Sequence, residues 1–287
     1  MRIQLLTLFT LVTTPQLARA QTRQIWDSPA ASVAQTVGIT DIEVKYHRPG
    51  VKGREIWGKL VPYGEEWRAG ANEATTISFS TPVKVAGKPV PAGNYALFVV
   101  PTKDKWTFIL SKDAEQWGAY FHKADHDLMR FDVTPSSTAP REWLAYELDL
   151  SGRSTVVASL AWEKLKASFP IEVDVDGLYQ AYLSGEVTKA DASSDAKAKS
   201  TTYLTGARYW ITRGEKLDEA AKLLDKCDKL SPSAWGYEWR ARLLAKQNKL
   251  GEALPLLDKA KAAAKGKFPE AYLTGIDALR AEWSKKK

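Results

Sequence analysis

The sequence predicts a mixed β plus α protein of two domains, an antiparallel β-sandwich or open barrel followed by a series of helix pairs. From Ser32 to about Val175, apolar residues recur at every second position and Gly and Pro interrupt the pattern, as in short antiparallel strands. From Gly177 onward the apolar spacing changes to three and four, which is typical of helices. One segment of this second half recurs at an offset of 33 residues, which indicates stacked helix pairs. The predicted divisions are a signal peptide at 1–20, a β-sandwich at 25–175, a linker or first helix at 176–200 and a helical domain at 201–287.

The N-terminus has the pattern of a secretory signal peptide. Arg2 precedes an apolar run from Ile3 to Val12, and Ala18-Arg19-Ala20 has the small residues that signal peptidase requires. The apolar run is only about half of the roughly 20 residues that a membrane-spanning helix needs. We therefore expect cleavage near Ala20 and export to a periplasm or the medium, without a membrane span.

The strands of the first half are short and amphipathic. In ITDIEVKYHRPG, Ile42, Val44 and Tyr46 alternate with polar residues, as a strand with one buried face requires. Gly87 predicts a tight hairpin turn, and Pro91-Ala92-Gly93 interrupts the chain before the next strand. About seven further strands are predicted in TTISFS (Ile77 and Phe79 inward), VKVAG, NYALFVVP, KWTFILS, WLAYELDL, STVVASLAWEK and KASFPIEVDV.

The repeat in the second half aligns KLDEAAKLLDK at 216–226 with KLGEALPLLDK at 249–259. Ala220 aligns with Ala253 and Leu224 with Leu257, a small and a large apolar position at the spacing of paired helices. The pattern resembles a tetratricopeptide array, although Arg208, Lys265 and Pro255 depart from it. The resemblance implies five or six helices that dock a protein partner, with LSGEVTKADASSDAKAKS as a linker or a weakly packed first helix.

Composition excludes several classes of function. The chain carries a formal net charge of +7, and removal of Arg2 and Arg19 with the signal peptide would lower it to +5. Because this modest excess comes with no nucleic-acid-binding motif, we expect no nucleic-acid partner. The single cysteine, Cys227, cannot form an internal disulfide, and we expect it to be a buried packing residue because no His or Arg lies within a turn of it.

A series of motifs in fixed order runs through the β half. They are Arg48-Pro49, Lys52-Gly53-Arg54, Leu60 to Gly64, Trp67 to Thr75 and Pro91 to Tyr95. Together they closely resemble domain-of-unknown-function family 2911, an uncharacterised bacterial group, over about residues 25–175. The resemblance implies an exported β-sandwich that is sometimes joined to helical repeats, and it implies no activity.

Three arginines within these motifs can bind a carboxylate or phosphate through a planar fork of donors: Arg48, Arg54 and Arg68. Two arrangements remain open. If Glu73 or Glu65 pairs with an arginine and Asn72 bonds local backbone, the loop is structural; if the arginines face a cleft without partners, they form an anion or carbohydrate site.

Aromatic residues provide a second indication of a ligand site. Trp57, Trp67 and Trp117 lie beside Gly or polar residues rather than within alternating strands, which suits stacking on a sugar ring or capping of the sandwich ends. The predicted ligand-binding residues are Arg48, Arg54, Trp67, Arg68, Asn72, Glu73, Trp117 and Tyr120.

Metal binding and catalysis have weaker support. HKADHD places His122 and His126 four residues apart, with Asp125 and Asp127 nearby, but no third ligand is evident, and we expect no metal or other cofactor. The sequence contains no G-x-S-x-G, His-Glu-x-x-His or glycine-rich phosphate loop. The primary hypothesis is therefore an exported, non-catalytic binding protein. Its β-sandwich binds a small polar or saccharide-like ligand or a surface partner, and its helical repeats dock another protein.

Two other hypotheses remain. One is a hydrolase that uses Arg68, Asn72 and Glu73 with His47 as acid or base, and it requires these side chains to converge in one open pocket. The other is a structural envelope protein whose β domain binds no small ligand.

Overall fold

A computed structural model describes residues 25–286, and the chain divides into two compact units, which meet in sequence at Val173 and Asp174. The signal peptide predicted at 1–20 lies outside the described residues. Among the residues that are described, no helix is both long enough and apolar enough to span a membrane.

From residue 25 onward, the first unit contains ten strands in two antiparallel sheets, which confirms the predicted fold class. The six-stranded sheet has the order β1-β2-β3-β6-β7-β8, and the four-stranded sheet has the order β5-β4-β10-β9. The strands are β1 Ala30–Val37, β2 Thr40–His47, β3 Thr76–Phe79, β4 Val83–Val85, β5 Lys88–Val90, β6 Gly93–Pro101, β7 Trp106–Ser111, β8 Asp127–Val133, β9 Ser136–Leu150 and β10 Thr155–Glu172.

The alternating apolar residues form the core between the two sheets. Ile42 and Val44 on β2 are fully buried, as the alternation in ITDIEVKYH predicts. Aromatic contacts join the sheets: the rings of Tyr46 and Tyr146 lie 4.8 Å apart, edge to face, and those of Phe108 and Phe169 lie 5.1 Å apart. The Tyr46 hydroxyl also accepts a hydrogen bond of 3.2 Å from the backbone nitrogen of Tyr146.

The predicted hairpin at Gly87 is confirmed. Ala86 and Gly87 adopt φ values of 47° and 77°, and this left-handed pair closes the turn between β4 and β5. The chain then passes Pro91 and Ala92 and enters β6, which belongs to the other sheet. The Pro-Ala-Gly interruption is therefore the point at which the chain changes sheets.

Two details of the strand prediction are wrong. STVVASLAWEK and KASFPIEVDV were predicted as separate strands, but they form the single strand β10, whose register with β9 shifts around Glu163. Glu163 has a φ of 55°, so a bulge bends the strand without ending it. Strand β8 was not predicted, because Asp127, Arg130 and Asp132 interrupt the apolar pattern of this edge strand.

Residues 48–75, which we call the bridging segment, connect β2 to β3 without a strand of their own. The segment is hydrogen-bonded to both sheets. The backbone nitrogen of Val51 donates to the Glu142 carbonyl of β9 at 2.8 Å, and Trp67 exchanges two backbone hydrogen bonds of 2.8 Å with Val99 of β6. The segment is thus an ordered part of the sandwich, which its position between two strands predicted.

The second unit contains six helices, in agreement with the predicted five or six. They are α1 Val175–Ala192, α2 Ala196–Arg213, α3 Leu217–Leu230, α4 Ala234–Lys246, α5 Leu250–Ala264 and α6 Glu270–Ser284. The segment at 176–200, predicted as a linker or a first helix, belongs mainly to α1 and the first turn of α2. Asp174, Asp195 and Ser233 cap the N-termini of α1, α2 and α4 with side-chain oxygens.

The aligned positions of the repeat face the helical core. Ala220, Leu224, Ala253 and Leu257 are completely buried, so the small and large positions pack between helices as the alignment predicts. Cys227 is also completely buried, and its Sγ lies 3.2 Å from the Ser200 hydroxyl. Burial raises the pKa of the Cys227 thiol, which agrees with a packing role.

Candidate functional site

The centre of the bridging segment is held in a strained conformation by hydrogen bonds to the Ala69 carbonyl. Ala69 is buried with a φ of 53°, and its carbonyl accepts hydrogen bonds from the Tyr146 hydroxyl at 2.9 Å and the Thr75 hydroxyl at 3.1 Å. At Gly70, a Cβ would lie only 2.7 Å from Thr75 Oγ1 and 3.2 Å from the backbone oxygen of His47. This close packing fixes the direction of the residues on either side.

Two tryptophans of the bridging segment belong to a cluster of four. The Trp57 ring lies 4.5 Å from that of buried Trp106 on β7, and the Trp67 ring stacks on buried Trp162 of β10 at 5.9 Å. Trp67 Nε1 also donates to the Gly70 carbonyl at 3.1 Å. The cluster therefore joins the bridging segment to both sheets, and Trp57 and Trp67 serve mainly in packing rather than as open platforms.

The three arginines have different environments. Arg48 Nε donates to the Leu144 carbonyl at 2.8 Å, and Arg54 donates to the carbonyls of Gly50 and Val51 at 2.6 and 3.1 Å. These two side chains satisfy backbone oxygens, whereas the structural alternative named Glu73 or Glu65 as the partner of an arginine. Arg68 does not: its Nε is buried without a hydrogen-bond partner, and no ion pair of Arg68 is found within residues 25–286.

Arg68 lines a cavity of about 720 Å³ that we call the Arg68 cavity. Five of the eight predicted ligand residues line it: Arg54, Trp67, Arg68, Asn72 and Tyr120. Tyr120 is 77% exposed, so this side of the cavity is open to solvent. Arg48 does not line it.

A second depression, the Trp117 groove, lies on the other side of a short backbone pairing. Asn72 and Glu73 pair with Trp117 and Gly118 through a bridge and a hydrogen bond of 3.2 Å from Gly118 N to the Asn72 carbonyl. We call residues 72–74 and 116–118 the shared wall. Asn72 adopts a φ of 57°, and its side-chain amide donates to the Ser28 carbonyl at 3.3 Å.

The Trp117 groove contains two of the three remaining predicted residues, Glu73 and Trp117, whereas Arg48 lines neither cavity. Its volume is about 850 Å³, and Glu73, Trp117 and His47 line it. His47 Nδ1 lies 3.3 Å from a Glu73 oxygen, so Glu73 pairs with this histidine and not with an arginine. Arg68 and Asn72 line one cavity while Glu73 and His47 line the other, and the four residues of the hydrolase hypothesis are divided by the shared wall.

The structure also reveals a chain of charged groups that sequence reasoning missed. His122 Nδ1 lies 2.7 Å from Glu66, which lines the Arg68 cavity, and His122 Nε2 lies 2.6 Å from Asp127. Asp127 is in turn held by Arg130 at 2.7 Å. We call these four residues the Glu66 network.

The Glu66 network is mostly shielded from solvent. The His122 side chain is 6% exposed, and its ring lies against buried Phe98 at 4.8 Å. Burial raises the pKa of the Glu66 carboxyl, and attraction to His122 opposes this shift. In the sequence, only the proximity of Asp127 and Arg130 indicated this network, because Glu66 joins it from the distant bridging segment.

The two histidines of HKADHD have separate partners. His122 belongs to the Glu66 network, whereas His126 Nδ1 contacts Asp113 at 2.5 Å. Within the described part of the chain, no group of three or more His, Cys, Asp and Glu side chains is arranged to hold a metal ion.

Comparison with known proteins finds one family. A family model described as "Protein of unknown function (DUF2911)" matches residues 28–171, about half of the chain. The resemblance seen in the motifs is therefore confirmed. No curated protein and no solved structure matches the chain.

Glu66→Gln should reduce the pH dependence of stability. Because its folded pKa is above the usual 4.5, the folded chain binds more protons than the unfolded chain just above that pH, so the free energy of unfolding of the wild type falls as pH rises there. The variant lacks the carboxyl group whose titration causes this decrease. Urea unfolding between about pH 4.5 and about pH 8 measures the difference.

The neighbouring substitution Glu65→Gln is the control, since Glu65 is exposed and outside the network. An equal change of slope in both variants would contradict the assignment to Glu66.

Proposed function

The chain belongs to the DUF2911 family of proteins of unknown function, and we propose that it is an exported, non-catalytic binding protein. Its β unit binds a small polar or saccharide-like ligand in the Arg68 cavity, and its helical unit docks another protein. The observation that carries the first part is the buried, unpartnered Nε of Arg68.

A buried donor without a partner lowers stability, by about 1–3 kcal/mol or more for a charged group. Such a cost is offset when a ligand oxygen accepts the hydrogen bond. The guanidinium offers a planar fork that fits a carboxylate, a phosphate or a pair of sugar oxygens. Arg68 is therefore suited to recognise an oxygen-rich ligand.

The acidic residues of the Arg68 cavity limit the net charge of the ligands that it can bind. Glu65 and Glu66 line the same cavity as Arg54 and Arg68, so carboxylates balance the guanidiniums. A ligand with several anionic groups would meet repulsion, whereas one with a single carboxylate or phosphate and hydroxyl groups would find donors and acceptors. Acidic sugars and small hydroxy acids have this composition.

The geometry supports binding over hydrolysis. Both ring nitrogens of His122 are engaged by carboxylates, so this imidazole is not available to take a proton from a substrate in the Arg68 cavity. His47, the proposed acid or base, lines the Trp117 groove instead. The hydrolase hypothesis needs His47 and Arg68 in one cavity, and they line different ones.

Arg68→Ala should abolish ligand-induced stabilisation. We expect a thermal-shift screen of small carboxylates, sugar phosphates and uronic-acid oligosaccharides to identify at least one compound that raises the Tm. At a concentration of about 100 times Kd, the expected stabilisation is about 2.7 kcal/mol. Arg68→Ala should weaken binding at least about tenfold, because it removes the buried donor.

Arg141→Ala is the matched control. Arg141 is also partly buried in the β unit, but it pairs with Glu147 and lines neither the Arg68 cavity nor the Trp117 groove. Ligand affinity that falls equally in both variants, or not at all in Arg68→Ala, would refute the assignment.

For the helical unit, we propose a tetratricopeptide-like array that binds a peptide or a helix of a partner. The support is a depression of about 860 Å³ in which apolar Leu183, Val187 and Trp210 are flanked by Lys216 and Asp218. An apolar floor with a charged rim suits an amphipathic segment.

Ser184→Arg should abolish capture of this partner. Ser184 is exposed, lines the depression and donates only to the carbonyl one turn earlier on α1, so the larger side chain blocks the surface without disturbing the core. Thr274→Arg is matched to it, because Thr274 is exposed on α6 and makes the same kind of hydrogen bond. Pull-down with the full chain from a periplasmic extract measures the effect. Recovery of the same protein by wild type and Ser184→Arg would count against the proposal.

Export is proposed from the N-terminal sequence. We expect the mature chain to begin at Gln21, because Ala18-Arg19-Ala20 supplies the small residues before the cleavage point. N-terminal sequencing of protein from the periplasm or medium tests this. Ala20→Pro should block cleavage and leave the full-length chain in the membrane fraction; an intact N-terminus on wild-type protein would refute export by this route.

A further inference from the structure

We propose that the Trp117 groove is a second ligand site, distinct from the Arg68 cavity, and that it binds a neutral saccharide. Three observations support this: an exposed aromatic surface, a buried acceptor without a partner and charged groups that are paired with one another. The site goes beyond the proposed function, which rests on Arg68.

The aromatic surface consists of Trp117 with Trp26 beside it. Trp117 is 43% exposed although it lines a groove, and the Trp26 ring lies 5.7 Å away at an angle of 48°. Unlike Trp57 and Trp67, this pair is outside the tryptophan cluster of the core. The rest of the lining is rich in alanine, with Ala30, Ala31, Ala74 and Ala114. Trp26 supports the Trp117 ring without lining the groove, and the groove thus offers one exposed aromatic ring beside small apolar side chains, of the kind that packs on the C–H face of a sugar ring.

The buried acceptor is the side-chain oxygen of Gln116. Gln116 Nε2 donates to the Asp113 carbonyl at 2.8 Å, which fixes the orientation of the amide, and Oε1 is buried with no hydrogen-bond partner in the part of the chain that the structure describes. A buried acceptor requires a donor. A sugar hydroxyl next to the Trp117 ring supplies one, whereas a hydrocarbon or a carboxylate does not.

The charges of the groove favour a neutral ligand. Lys45 lies 3.2 Å from Glu43, and His47 lies 3.3 Å from Glu73. Both basic side chains that line the groove in residues 25–286 thus have an acidic partner within the protein, in contrast to Arg68 in its cavity. Glu115, which also lines the groove, is exposed and would repel an anion.

Binding of neutral trisaccharides tests the proposal. Isothermal titration with maltotriose, cellotriose, xylotriose and triacetylchitotriose, in parallel with tryptophan fluorescence, should find at least one that binds in the millimolar range or more tightly. Trp117→Ala should weaken this binding at least about tenfold, because the truncation removes the aromatic ring on which the sugar packs. Trp117→Phe should retain binding within about threefold, since a smaller aromatic face remains.

Gln116→Leu is a second, independent variant. It removes the buried acceptor and keeps a similar side-chain volume, so it should weaken the same sugar about tenfold while the protein remains folded by circular dichroism. Arg68→Ala should leave the affinity for the neutral sugar unchanged, which separates this site from the Arg68 cavity.

Three results would overturn the proposal. The first is no binding of any of the four trisaccharides to the wild type. The second is equal binding by wild type and folded Trp117→Ala. The third is tighter binding of trigalacturonate than of every neutral trisaccharide, with loss in Trp117→Ala, which would assign an acidic ligand to the groove.

Discussion

The carbonyl of Ala69 is the point on which the arrangement of the β unit depends. A segment as long as 48–75 contributes many backbone donors and acceptors that a sheet would otherwise pair, and each must find a partner elsewhere. The Tyr146 hydroxyl reaches this carbonyl from the four-stranded sheet, while Trp67 pairs with Val99 of the six-stranded sheet. The segment is therefore fixed at both sides, and the side chains on it acquire defined directions without belonging to a strand.

The same loop shows how chemically similar residues acquire different roles. Arg48 and Arg54 satisfy carbonyls that the irregular backbone leaves open, whereas Arg68 remains without a partner at the edge of a cavity. Their hydrogen bonds distinguish them. The donors of Arg48 and Arg54 have acceptors within the protein, whereas burying the Arg68 donor costs free energy that an acceptor on another molecule can offset. Gln116 is the corresponding case for an acceptor, because its buried Oε1 also has no partner within residues 25–286.

Much of the fold could be predicted from the sequence because it is encoded locally. The alternation around Ile42 and Val44, the left-handed turn at Gly87 and the small position at Ala220 each depend on residues close in the chain. The continuous strand β10 was missed because a bulge at Glu163 reverses the alternation locally. For the candidate site, the sequence indicated most of the residues that line the two cavities but not the wall that separates them, since the shared wall and the Glu66 network form between residues far apart in the chain. Whether Trp57 faces a ligand or Trp106 is likewise decided by tertiary packing, not by its neighbours in sequence.

Gly118 allows the shared wall to approach Arg68 closely. Its φ is 65°, and a Cβ there would lie 2.9 Å from the Tyr120 ring and 3.1 Å from Arg68 Nη1. At this point only main chain separates the Trp117 groove from the guanidinium, with no side chain to absorb a displacement. A side chain at position 118 would have to displace the Tyr120 ring or the Arg68 guanidinium, and the left-handed backbone would strain it further, so the geometry on both sides of the shared wall depends on a glycine at this position.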